Sequence, residues 1–395
     1  MLNRIKPKSL DVLSASLERK EALPVYNTIV NTITNSTIYE RKNSMENSDY
    51  LYCIYDFPDY LKGLVTQKSW KLQTINTYKG SLILLKNYKN TDAYLKTKFS
   101  AARRSKFRTY QKRLETCFNI QYKTYFGAID KADYESLFEA FYEMINKRFL
   151  EKKIQNYDLL RWHIYQEIAY PLINNKEAAL FVIYSNKKPI SICLNLVRNN
   201  TIYGYIRTYD VDYSKFYIGF TDFIKQLHWC FENGIEIFDL LKGCYPYKNK
   251  LIDTQYNFQK HVIYNTKSFL TVLSANIIVA RTRAFYSLVK VLKKMNMNVF
   301  YHKIMAYKYR NRALSRLDDD SKKVSIENIP KINSNENLLK IDLNDEAFSC
   351  LKRPVYNFLY TNQDSIDAVE VFKFYNEPNS FLVKGKKQMQ KITLN

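Results

Sequence analysis

Stretches of apolar residues with period two and with a three-to-four spacing succeed one another along this chain, and the period assigns the elements. Residues 50–55 (YLYCIY) and 80–85 (GSLILL) read as short buried strands, with a short helix or loop over 58–69 between them. Residues 119–125 (NIQYKTY) alternate as a strand. Asp130 then caps a helix whose buried stripe is Tyr134, Leu137, Phe138, Phe141, Met144, Ile145 and Phe149. A second helix is expected over 157–170, ended by Pro171. Residues 178–184, 189–197 and 201–208 are three strands joined by short turns, an antiparallel meander. After a polar, aromatic stretch over 209–217, a helix opens near Gly219 and buries Phe220, Phe223, Ile224, Leu227 and Phe231. Asn233-Gly234 stops it, and 235–241 is the next strand. A meander leading through a helix to a further strand is an α+β arrangement. Residues 268–315 are expected to be mainly helical, with Arg281, Arg283, Lys290, Lys293 and Lys294 on polar positions.

A length of 395 residues calls for more than one structural unit. The pattern divides the chain into a mixed N-terminal unit (1–95), a central domain (96–315), a polar linker (316–337) and a final segment (338–395), either a small appended unit or a poorly packed tail. With 61 Lys and Arg against 38 Asp and Glu, the net charge is +23. Such a field attracts phosphates, whether of nucleic acid, lipid headgroups or coenzymes. The cations are densest over 99–113 (FSAARRSKFRTYQKR), a basic helix carrying Arg104. It reads either as a solvated charged face or as a site for a phosphorylated ligand. Six scattered cysteines and four scattered histidines make no ligand spacing, so no metal is expected. No stretch has signal-peptide or membrane-spanning length, which leads to the expectation of a cytoplasmic protein with peripheral membrane contact left open.

The most specific residues lie at 205–248 (YIRTYDVDYSKFYIGFTDFIKQLHWCFENGIEIFDLLKGCYPYK). Tyr209-Asp210 after a strand, Gly219 opening a helix, the run FDLLKG over 238–243 and then Tyr247-Lys248 resemble the GNAT-type acyltransferases of the CelD/BcsL-like kind, relatives of the FemAB peptidyltransferases. The resemblance spans roughly 99–315. Cys244 and Tyr245 stand where relatives often carry acidic residues, and Leu251 where an aromatic is common. The resemblance implies a GNAT fold, a mixed and mostly antiparallel sheet flanked by helices, single or as a tandem pair. It implies an acyl donor, acetyl-CoA or another acyl-CoA, and as acceptor an amine or hydroxyl of a small molecule or glycan precursor of the cell envelope. Its Fem-like side implies the alternative of aminoacyl transfer from tRNA. A non-catalytic binding protein of the same fold is the third reading.

Chemistry distributes the residues. Donor diphosphate suits a helix N-terminus, here Ile218, Gly219 and Phe220. Asp210 is either the base for the acceptor or a turn cap. Asp239 reads first as a structural hydrogen-bonding residue and second as a base of raised pKa. Tyr247 is suited to protonating the leaving thiolate. Lys248, favoured by the resemblance, would steady negative charge. Arg207, Tyr209, Tyr245 and Arg104 fall to substrate binding, Arg207 either holding an anionic acceptor or pairing with Asp210. Cys244 has no histidine in a partner position, so thiol catalysis is not expected.

Overall fold

The alternating stretches meet in one large sheet in the computed structural model of the chain. The structure describes residues 7–18, 23, 25–41, 51–65, 68–152, 156, 158–243, 248–297, 304, 307, 324–330 and 337–394. Strands are numbered along the chain. The first six are β1 (Lys8–Asp11), β2 (Thr28–Asn31), β3 (Ser36–Glu40), β4 (Leu51–Pro58), β5 (Leu61–Leu64) and β6 (Trp70–Leu84). The next six are β7 (Ile120–Tyr125), β8 (Ala178–Ser185), β9 (Lys188–Arg198), β10 (Thr201–Tyr209), β11 (Ile237–Lys242) and β12 (Thr254–Asn265). Nine of them form the sheet β1-β4-β12-β6-β11-β10-β9-β8-β7, and β3-β2-β5 form a small separate one. Within the large sheet only β1/β4 and β10/β11 are parallel. The long strand β6 pairs with both β12 and β11, so the N-terminal segment and the central meander share hydrogen bonds.

Among the described residues six helices cover this sheet: α1 (Thr91–Lys98), α2 (Ala101–Cys117), α3 (Lys131–Glu151), α4 (Trp162–Asn174), α5 (Ile218–Glu232) and α6 (Phe269–Lys294). The meander shows why both faces are covered. Along β8, Ala178, Leu180 and Val182 pack into the core under α3 and α4, while Ala179 and Phe181 pack into the core under α1, α2 and α5. A strand apolar at every position has no solvent face and needs a helix layer on each side. Asn90, Ser100, Asp130 and Ser268 each accept a backbone N–H at a helix start, a contact worth about 1 kcal/mol.

Several expectations change. Residues 58–69 contain the strand β5 rather than a helix. Pro171 lies inside α4, which runs one more turn to Asn174. The ring removes one backbone donor without ending the turn, because Asn175 N–H still reaches the Pro171 carbonyl. Within the expected linker, β13 (Val324–Ile329) is an edge strand. It joins β14 (Leu338–Lys340), β15 (Glu370–Phe374), β16 (Ser380–Lys384) and β17 (Met389–Leu394) in an antiparallel sheet ordered β13-β17-β16-β15-β14. With α7 (Lys352–Asn362) this makes a packed C-terminal unit rather than a loose tail. Val355, Phe358 and Leu359 of α7 share a core with Leu114, Phe118, Phe216 and Ile218, so the unit is seated against α2 and the approach to α5.

Gly80 of β6 lies under the Tyr256 ring of β12, and a Cβ placed there would come within 2.1 Å of that ring. Gly80→Ala is therefore expected to displace Tyr256 and destabilise the fold by about 1–3 kcal/mol, read from urea unfolding.

Candidate functional site

The parallel strands β10 and β11 share a register of three residues only: Thr201 with Ile237, Ile202 with Phe238, and Tyr203 with Asp239. Both strands run on, β10 to Tyr209 and β11 to Lys242, without pairing further. Two irregularities mark the parting. The β9/β10 register shifts between Gly204 and Ile206, a bulge at Tyr205, and the β11/β6 register shifts between Asp239 and Lys242, where Leu241 takes φ +54°. Bulges re-aim side chains and end pairing, which is how a sheet opens into a site.

Asp239 sits at the parting point and is 0% exposed. Its Oδ2 accepts Tyr60 Oη at 2.8 Å, Tyr256 Oη reaches both carboxylate oxygens at 3.0 and 2.8 Å, and Leu241 N–H donates at 2.7 Å. Burial pushes its carboxyl up to about 6, and these donors with the nearby Lys248 charge hold it from going higher. Enclosed by tyrosines, Asp239 fixes the parting of the strands. Lys248 is 8% exposed and donates to the carbonyls of Leu240 (2.7 Å) and Lys242 (2.9 Å), both beyond the last β10/β11 pair. Its ammonium thus supports the end of β11 that has parted from β10.

On the opposite strand, the Tyr205 hydroxyl donates to Glu18 Oε1, and burial raises its pKa far above the ordinary tyrosine value. Glu18, 6% exposed, also accepts Ser14 Oγ at 2.9 Å and faces Arg161 at 3.6 Å. Tyr205 and Leu241 both pack against the core under α3 and α4. Nothing in the sequence signalled Glu18: it lies about 190 positions from Tyr205, on a short helix of the N-terminal segment.

At the other end of β10 the chain turns through a 3-10 helix, Val211–Phe216, and Tyr217 at φ +51° admits α5. Arg207 Nη2 donates to the Gly219 carbonyl at 2.7 Å and meets the buried Asp222 at 3.2 Å. Arg207, read as holding an anionic acceptor or pairing with Asp210, thus meets Asp222 on the α5 side of the sheet. Burial raises the Asp222 carboxyl, while Arg207 and Gln226 oppose the rise. From Asp222 a buried chain continues through Gln226 (2.8 Å) to Asn195 (2.9 Å). Tyr209 packs over Gly219 and under the Arg148 guanidinium.

Asp210 takes the capping alternative: it accepts Asp212 N–H at 3.1 Å and faces Lys147 at 3.6 Å. Two segments singled out separately do come together. Phe107 of α2 stacks on Phe220 at 4.0 Å, and Tyr110 stacks on Tyr217 at 4.3 Å, bringing the basic helix alongside the start of α5. Arg104 is half-buried and donates to the Phe99 carbonyl at 2.7 Å, while Arg103, Lys106, Arg108 and Lys112 are exposed. Ile218 is buried in the core shared with the C-terminal unit. Cys244, Tyr245 and Tyr247 lie outside the described residues. A cavity of about 350 Å³ opens elsewhere, between β7, β8 and the start of α3, lined by Gln121, Lys123, Tyr125, Asp133 and Tyr184. Among the described residues no three His, Cys, Asp or Glu side chains gather as a metal site, and no helix is long and apolar enough to cross a membrane.

Past Tyr203 and Asp239 the parallel strands β10 and β11 part, and β10 runs on to the turn that opens α5. Residues 101–249 match the family model described as acetyltransferase (GNAT) domain. No curated protein matches the chain. Among solved structures, FemX is similar at TM-score 0.40 and 12% identity, covering 57% of this chain and 74% of that one. The C-terminal DUF2156 domain of a putative lysylphosphatidylglycerol synthetase from Agrobacterium fabrum is similar at TM-score 0.35 and 9% identity, over 58% of this chain and 72% of that one. A conserved protein of unknown function from Bacteroides thetaiotaomicron VPI-5482 is similar at TM-score 0.36 and 9% identity, over 55% and 70%.

Two outcomes test this site. Lys248→Ala leaves the Leu240 and Lys242 carbonyls without that donor and is expected to lower stability by about 1–3 kcal/mol in urea unfolding. For Asp239, the folded pKa of about 6 lies above the unfolded value. The native state then binds the proton more tightly, so this contribution favours folding at low pH and is lost as pH rises from about 4 to above 6. The stability of the wild type relative to Asp239→Asn is expected to fall by about 3 kcal/mol across that window.

Proposed function

We propose that the chain transfers an acyl group, acetyl in the simplest case, from acyl-CoA to an amine or hydroxyl of a cell-envelope or polysaccharide precursor. The observation that carries this reading is the parting of β10 and β11 directly after Tyr203–Asp239, within the segment that matches the GNAT domain. The envelope acceptor rests on the sequence resemblance alone.

In this reading the donor's diphosphate lies at the start of α5, where Ile218 and Gly219 present backbone N–H groups, Phe220 N–H closes the turn on the Tyr217 carbonyl, and α2 adds Arg103 and Arg104. Gly219 is not needed for an unusual backbone angle, but a Cβ there would meet the Tyr209 ring at 3.4 Å. The acyl carbonyl enters between the strands. The Tyr205 backbone N–H, at the bulge and in a 3.4 Å contact with Asn195 Oδ1, is assigned as the oxyanion donor. The acceptor attacks the thioester carbonyl and gives up its proton to Glu18. When the C–S bond breaks, the thiolate is protonated from the Glu18–Tyr205 pair or from Tyr247. Arg207, Tyr209 and Tyr245 are assigned to the acceptor side. Asp210, Asp239 and Lys248 act as positioning residues.

A second reading, transfer from aminoacyl-tRNA, is favoured by the exposed cations of α2 and by the net charge of +23. The two separate cleanly. Acetyl-CoA at 100 times its dissociation constant is expected to stabilise the protein by about 2.7 kcal/mol, read as a rise in melting temperature. No rise with any acyl-CoA, together with salt-sensitive stabilisation by tRNA, would replace the first reading by the second. Ligand binding with no turnover would leave a binding protein.

Glu18→Gln and Tyr205→Phe are expected to lower kcat by about 100-fold or more while leaving the acetyl-CoA-induced rise intact, measured by thiol release with acceptor present. Full activity in both variants would remove this pair from the mechanism.

A further inference from the structure

The 26-residue helix α6 turns only Thr271, Ala275 and Val279 fully into the protein, against β12 and β6. Its outer side is also apolar. Leu270, Leu273 and Ile277 follow a three-then-four spacing, as do Leu288, Val291 and Met295, and Ala280 and Ala284 continue the stripe between them. These six large side chains are 40% to 66% exposed, and Phe269 and Phe285 are 77% and 56% exposed. At about 1.5 Å per residue the helix is roughly 39 Å long, so the exposed stripe is an extended surface rather than a scatter of single residues.

Charge decides what fits this surface. α6 carries Arg281, Arg283, Lys290, Lys293 and Lys294 and no acidic residue. Between Asp253 and Asp318 the chain has twelve Lys or Arg and no Asp or Glu. A second copy docked through the stripe would set the flanking Arg281, Arg283 and Lys294 against themselves, where paired helices normally answer Lys with Glu at the flanks. An anionic lipid surface accepts both features: the stripe enters the headgroup–acyl boundary, and the cations meet the headgroup charge.

We infer that α6 is a membrane-docking helix that lies in the plane of an anionic bilayer without crossing it. This inference stands independently of the reaction proposed above. Tyr286 of α6 packs on Tyr78 at 5.4 Å, and the Lys242 ammonium at the end of β11 sits 5.3 Å from the same Tyr78 ring. Docking through α6 would hold the end of β11 that has parted from β10 on the lipid-facing part of the protein.

The test uses the full chain and vesicles of phosphatidylcholine with or without phosphatidylglycerol. Wild-type protein is expected to sediment with phosphatidylglycerol-containing vesicles, to be released by salt, and to remain in solution with phosphatidylcholine alone. Leu273→Glu/Leu288→Glu is expected to weaken sedimentation about tenfold or more, and Arg281→Gln/Arg283→Gln to weaken it by a smaller factor. All four positions are exposed, so the melting temperature should not move. Absence of binding to anionic vesicles, equal binding to neutral ones, or binding unchanged in both double variants would overturn the inference. A dimer in light scattering that Leu273→Glu/Leu288→Glu dissolves would assign the stripe to a second copy instead.

Discussion

Past Tyr203 and Asp239 two neighbouring parallel strands cease to share hydrogen bonds, and their backbone groups and buried side chains must be satisfied some other way. Asp239 remains in the sheet interior as a carboxylate, held by two tyrosine hydroxyls and a main-chain N–H. Lys248 folds back to the carbonyls of Leu240 and Lys242. Buried polar groups of this kind are tolerated only when their partners are complete. Tyr60 comes from the N-terminal segment, Tyr256 from β12 and Lys248 from the chain after β11, so the opening depends on parts of the protein far apart in sequence.

The α5 side of the sheet solves a related problem with a different set. Arg207 closes over Asp222, and Gln226 links that carboxylate to Asn195 beneath the bulge. This chain couples the start of α5 to the strand that leads into it. The stacked pairs Phe107–Phe220 and Tyr110–Tyr217 fix α2 beside the same helix start, which is why the densest cationic stretch of the chain borders it. The C-terminal unit adds a further constraint, since Phe358 and Val355 share a core with Phe216 and Ile218. The turn that admits α5 is thus packed between two units.

Much of the meander and its helices was legible because period and capping are local properties. Asp130 does cap α3, Gly234 does end α5 with φ +67°, and the stripe from Tyr134 to Ile145 is buried. The matching domain lies where the residues from Tyr209-Asp210 through Gly219 to Tyr247-Lys248 pointed. Errors arose where local rules had no way to weigh long-range pairing. β5 has too little alternation to declare itself and exists because β2 offers it an edge. β13 reads as linker because it is exposed, and β17 makes it a strand.

The sequence by itself determined the order and type of most elements, the class of the central domain and the excess of positive charge, since each follows from side-chain chemistry over short stretches. The tertiary structure alone decided which side chains share a site. It joined Glu18 to Tyr205, set Arg207 against Asp222, and enclosed Asp239 between Tyr60 and Tyr256. Those contacts depend on strand register and on the point where β10 and β11 part, and both are set by packing across the whole sheet rather than by neighbours along the chain.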